Sequence, residues 1–182
     1  MLRRVARGAV LALWLGAAGT ATAQTQASGP CLSSNEAQNV LVVLAPELIQ
    51  AVGVTCGPRI PATSLLRETD GPFIGKYRAA ADGAWGQAAA AIGKLAGPQA
   101  AGLLADSTLA RPMLGAIAAP FVAQAIKPKD CQTIDRALTA LAPLPPRNMA
   151  ELVVILLQAA NADEVRKGNR PKLPICPYEA GR

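Results

Sequence analysis

The chain has 182 residues, no histidine, four cysteines and a formal net charge of +6; 51% of it is hydrophobic but only 3% aromatic. Without histidine there is no Ser-His-Asp or Cys-His catalyst, no histidine-ligated zinc and no axial-histidine haem. Nor does the charge suit nucleic acid, because the cations do not cluster on the body of the chain: residues 24–164 hold 10 cations and 11 anions, and residues 165–182 hold five and one.

The first 23 residues read as an export signal. Arg3, Arg4 and Arg7 make a basic start, Gly8 to Ala18 an apolar stretch, and Ala21-Thr22-Ala23 a small-x-small cleavage site, so the mature chain begins near Gln24. Arg3-Arg4 invites a twin-arginine reading, but Val5-Ala6-Arg7 lacks the apolar pair that route uses, which favours general secretion. Cys31 follows Pro30, well past the apolar core, so no lipid anchor is expected. No transmembrane anchor is expected either: the Leu109–Ile126 stretch is interrupted by Arg111, Pro112, Pro120 and Gln124, and Leu152–Leu157 is too short. The destination is the periplasm or the medium. The alanine, glycine, proline and arginine content resembles that of a GC-rich bacterial genome.

The mature chain suits a single domain, 24–164, followed by a basic, proline-rich tail, 165–182, tied by Cys176. Ser33-Ser34-Asn35-Glu36 is a capping box that opens a helix to about Val52, kinked at Pro46. One or two turns fall near Leu65 and Leu66. Asp70-Gly71-Pro72 supplies an N-cap and a first-turn proline for the next helix. Along it Phe73, Tyr77, Ala81, Trp85, Ala88, Ile92 and Leu95 form a helical stripe that stops at Gly97-Pro98. A short helix over Gln99–Ala105 and a longer one over Thr108–Ile126, interrupted near Pro120, follow. Asp130 caps a helix to Leu141. Asn148 with Glu151 caps another to about Ala160, with Asn161 as a left-handed terminator. No alternating strand occurs. The fold class is all-α: a small disulfide-stapled bundle of five to six helices, with no β-sheet.

Cys31, Cys56, Cys131 and Cys176 are even in number in an exported chain, so two disulfides are the default. With the major helices alternating in direction, Cys56 and Cys131 fall at one end of the bundle, and the tail is long enough to bring Cys176 to Cys31. Cys56–Cys131 with Cys31–Cys176 is therefore favoured. The alternative, Cys31–Cys56 with Cys131–Cys176, needs the first helix to fold back at Pro46. A structural zinc or a redox dithiol would need a C-x-x-C pair, and none occurs. No metal and no cofactor are expected.

Three functional readings remain, in order. The first is a non-enzymatic binding or structural module of the cell envelope. The second is a carrier of a small apolar ligand, held in a groove along Phe73, Tyr77 and Trp85; the competing reading of that stripe, as the core seam, is preferred. The third is a histidine-free enzyme with Glu68, Asp70 and Asp82 gathered in a cleft, against which capping and solvated charges are the simpler account. The partner is an envelope protein or none. Arg166, Lys167, Arg170 and Lys172 could make weak contact with an anionic surface, though a solvated tail accounts for them more simply.

Overall fold

The computed structural model describes residues 29–178; the export signal expected over residues 1–23 lies outside them. Six α-helices follow one another: α1 (Ser34–Cys56), α2 (Pro72–Ala96), α3 (Pro98–Leu103), α4 (Ser107–Ala125), α5 (Cys131–Leu141) and α6 (Pro146–Arg166). Three single 3₁₀ turns link them, and among the described residues the one β feature is an isolated parallel bridge between Leu32 and Ile175.

α1 is the hub, with α2, α4 and α6 packed around it. Its capping box forms: the Glu36 amide donates to Ser33 Oγ at 3.3 Å, and the Ser33 amide donates to Glu36 Oε2 at 2.7 Å. The helix then runs through Pro46 without a break to Cys56. An 18-residue window within Ser34–Arg59 has a mean hydropathy of 1.8, long and apolar enough by length and composition to cross a membrane. Neighbouring helices cover part of it, with Ala37, Val42, Val43, Pro46, Gly53 and Cys56 buried.

α2 runs antiparallel to α1. Lys94, near its end, holds Glu36 at α1's start (2.5 Å), and Ala84 and Ala88 pack on Val42 and Val43. α6 is antiparallel to α1 as well, since Arg147 donates to Asn39 and Gln158 to Ser34. α4 runs the same way as α1, with Gly115 against Glu47 and Arg111 level with Val43. Asn39, 1% exposed, ties three helices together: its Nδ2 donates to Gln87 Oε1 of α2 (2.6 Å), and its Oδ1 accepts from Arg147 of α6 (2.9 Å). A buried amide with both ends paired fixes helix register where methyl groups cannot.

The core is built of small side chains. Ala37, Ala81, Ala84, Ala88, Ala91, Ala110 and Ala150 are buried, so the helix axes approach closely. At Gly53 the fit is tighter still, because an added Cβ would overlap the Leu66 carbonyl oxygen. The two bridges close the ends of the bundle. Cys56 and Cys131, both 0% exposed, join with Cα atoms 5.3 Å apart inside a cluster with Ile60 and Leu66. Cys31 joins Cys176 at 5.1 Å. The local pairing of Cys31 with Cys56 is not formed: at 1.5 Å per residue, the 23 residues of α1 hold its two ends roughly 34 Å apart.

Several boundaries differ from those expected. Asp70 does not cap α2; Gly71, at φ +124°, is the residue before Pro72, and Asp70 bonds Arg78 instead (2.9 Å). α6 starts at Pro146 rather than at Asn148, because proline needs no partner for its missing N–H in the first turn. It also continues past Ala160 into the segment assigned to the tail. Asn161 does not terminate it; Gly168, at φ +79°, takes the left-handed position just beyond its end.

Candidate functional site

On α2, Phe73 and Tyr77 pack into the core seam while Trp85 stays partly exposed. Phe73 and Tyr77 are 8% and 1% exposed and meet edge to face at 5.3 Å. The buried row is Phe73, Tyr77, Ala81, Ala84, Ala88 and Ala91, so a true 3.6-residue period turns Ala84 inward and leaves Trp85 at the flank. There the Arg111 guanidinium covers the indole at 5.3 Å and pairs with Asp82. Lys76 lies 5.4 and 5.2 Å from the Phe73 and Tyr77 rings and donates to the carbonyls of Ala142 and Leu144, just past the end of α5. Burial pushes the Tyr77 phenol above its ordinary pKa, and among the described residues its hydroxyl has no hydrogen-bond partner.

The three carboxylates considered for catalysis are not gathered. Asp70 and Asp82 are 85% and 70% exposed and each holds its own arginine. Asp82 lies roughly 15 Å along α2 from Pro72, and Glu68 lies near Gly71 at the other end of that interval. Among the described residues no three histidine, cysteine or acidic side chains are placed to share a metal ion.

A sizeable concavity lies elsewhere, over α6. It has a volume of about 900 Å³ and stands open to solvent. Ile155, Ala159, Ala162 and Val165 form one wall at helical spacing; Pro171, Ile175, Pro177 and Tyr178 of the tail form the other. Ser34, Asn35 and Gln38 of α1 and Glu151 complete the lining, with Ser34 held level with Gln158 by their hydrogen bond. From Glu151 to Val165 the groove follows α6 for roughly 21 Å.

Its floor explains its character. Val154, Gln158 and Asn161 continue the buried face of α6. Both amides are already engaged: Gln158 Nε2 donates to Ser34 Oγ (3.0 Å) and to the Cys176 carbonyl (2.9 Å). Asn161 Nδ2 donates to the Leu173 carbonyl (2.9 Å), and the Leu173 amide donates back to Asn161 Oδ1 (3.4 Å). Together with the Leu32–Pro174 and Cys176–Leu32 backbone bonds and the Cys31–Cys176 bridge, they fasten the tail as a fixed wall. The groove therefore presents mainly hydrocarbon, its polar floor groups having been satisfied from within.

The tail cations cluster at the Val165–Pro171 end. Lys172 pairs with Glu164 (3.5 Å), Arg166 with Asp163 (3.2 Å) and Lys167 with Asp163 (2.5 Å). These pairs hold the Asp163 carboxyl below its ordinary pKa, the Lys167 hydrogen bond first and that of Arg166 second. Arg170 has no ion pair among the described residues. A helix ended at Asn161 would lack the Ala162 and Val165 part of this wall, so the groove does not follow from the expected boundary. The available signal was Ala150, Val154, Gln158 and Asn161 at steps of four and three, which puts two amides on a core-facing row.

No protein-family model, no curated protein and no solved structure matches this chain.

Proposed function

We propose that this chain is an exported, non-enzymatic binding module of the cell envelope that takes an elongated apolar ligand, an acyl chain with an anionic end, in the groove over α6. The observation that carries the reading is the groove itself: about 900 Å³, walled by Ile155, Ala159, Ala162 and Val165 against Pro171, Ile175 and Tyr178. That volume is within the range of small-ligand sites, which are apolar with a few polar groups fixing orientation. Four cations against Asp163 and Glu164 make the Val165–Pro171 end net positive, which would draw an acid's head group toward the segment that carries Arg170. The two disulfides are compatible with an oxidising compartment, where such a ligand would be met. The dispersed carboxylates support a binding role over a catalytic one.

Calorimetric titration with a long-chain fatty acid and the matching fatty alcohol tests this. Saturable one-to-one binding is expected for both, with a negative heat-capacity change from apolar burial. Ala159→Trp, which fills the groove from an exposed position, should abolish it. Arg170→Glu should weaken the acid ~10-fold and leave the alcohol unchanged. No saturable binding, or binding indifferent to Ala159→Trp, would overturn the reading.

A further inference from the structure

α4 carries an apolar face that no described element covers. Leu109, Met113, Ile117 and Phe121 follow one another every fourth residue and are 65%, 59%, 61% and 71% exposed. Pro112, Ala116, Pro120 and Gln124 fill the spaces between them and are exposed too. No charge interrupts this face, because Arg111, the one ionised side chain of the helix, is turned onto Trp85 and Asp82. At ~200 Å² for a large side chain, the four main residues leave on the order of 500 Å² in solvent, above what a monomer usually exposes in one patch.

We propose that this face docks a second copy of the chain, α4 against α4, antiparallel about a two-fold axis at the level of residue 115. The spacing is its own complement. Reversing the helix brings Leu109 opposite Phe121 and Met113 opposite Ile117, the isologous arrangement a two-fold dimer requires. Charges at the ends select the same orientation. Asp106, the exposed N-cap of α4, accepts hydrogen bonds from Thr108 through Oδ1 but has no ion pair among the described residues; Lys127 and Lys129, just past the helix's end, are exposed and likewise without an ion pair. Antiparallel docking sets Asp106 of one copy beside Lys127 and Lys129 of the other at both ends, whereas parallel docking would oppose like charges. Area agrees: a stable interface uses ~800 Å² per partner, and four side chains supply more than half of that before Pro112, Ala116 and Pro120 are added.

Sedimentation equilibrium of the full, disulfide-bonded chain tests the proposal, with a reversible monomer–dimer equilibrium expected. Ile117→Asp places a charge on each side of the seam and should raise the dissociation constant ~100-fold or more. Its circular dichroism should not change, nor should its thermal melting at concentrations low enough for both chains to be monomeric, since residue 117 is exposed in the monomer. Lys127→Glu with Lys129→Glu should weaken the dimer ~10-fold at low salt, and the difference should close near ~1 M salt. Ala159→Trp should leave the dimer intact, so the fate of the α6 groove is read separately. A chain that stays monomeric at every concentration overturns the proposal. So does a dimer indifferent to Ile117→Asp, and so does a monomer that instead sediments with anionic phospholipid vesicles through Ile117.

Discussion

Removing the Cys31–Cys176 bridge should cost this domain a large share of its stability, by an amount set by how the two bridges nest. The sequence separations are 145 for Cys31–Cys176 and 75 for Cys56–Cys131. Taken alone, closing those loops in the unfolded chain contributes ~5 and ~4.5 kcal/mol. They are not independent, because the inner bridge shortens the outer loop to roughly 70 residues, which lowers its contribution to ~4.4 kcal/mol. Cys31→Ala with Cys176→Ala should therefore lose ~4.4 kcal/mol and move a urea midpoint by ~2 M at a slope of ~2 kcal/mol/M. Against a typical total of 5–15 kcal/mol, that leaves a marginal protein. Far-ultraviolet circular dichroism should show the helices still formed in the absence of denaturant, because the core clusters of α1, α2 and α6 contain neither cysteine. Fatty-acid binding should be lost before the fold is, since the released tail is one wall of the groove. A midpoint shift equivalent to less than ~1 kcal/mol at unchanged slope would refute the loop-closure argument.

Glycine-to-alanine changes should split by sign. Gly83→Ala and Gly86→Ala, exposed in the middle of α2 with open space at the Cβ, should each stabilise by ~1 kcal/mol, whereas Gly53→Ala should destabilise by ~1–3 kcal/mol through overlap with Leu66; thermal melts decide it. Asn161→Leu should cost ~1–3 kcal/mol and raise hydrogen exchange at Leu173, because it strips that residue's amide of its partner and its carbonyl of one of two. Tyr77→Phe should be neutral or stabilising by up to ~1 kcal/mol in urea unfolding, since the hydroxyl it removes is buried without a partner. Lys94, then the Ser33 amide, hold the Glu36 carboxyl below its ordinary value of 4.5. A lowered native pKa gives stability that is present above the unfolded value and lost as pH falls through the native one. Glu36→Gln should flatten that acid limb by less than ~1 kcal/mol, because the pair is half exposed.

Chain order and helix direction were legible because they depend on local signals. The capping box at Ser33, the Gly97-Pro98 stop and the stripe beginning at Phe73 each specify their own turn of helix, and alternation of the long helices brings Cys56 to Cys131. The errors were also local, where two signals competed. Asn148 and Asp70 both look like caps, yet the proline beside each start has no N–H to satisfy and sets the boundary. Asn161 looks like a terminator until Leu173 is found bonded to it on both sides.

By itself the sequence determined an all-α, disulfide-joined bundle without the histidine chemistry of common catalysts, since periodicity, caps and residue inventory act over a few residues. Only the tertiary structure decided which apolar faces are used up. α1 and α4 read alike as greasy helices, but α1 is surrounded on three sides while α4 has one side covered and the other bare. The groove over α6 likewise exists because residues far apart in the chain, Ser34, Gln158, Asn161 and Leu173, meet. Burial is a property of neighbours, and neighbours across a bundle are set by packing geometry that no short stretch of sequence encodes.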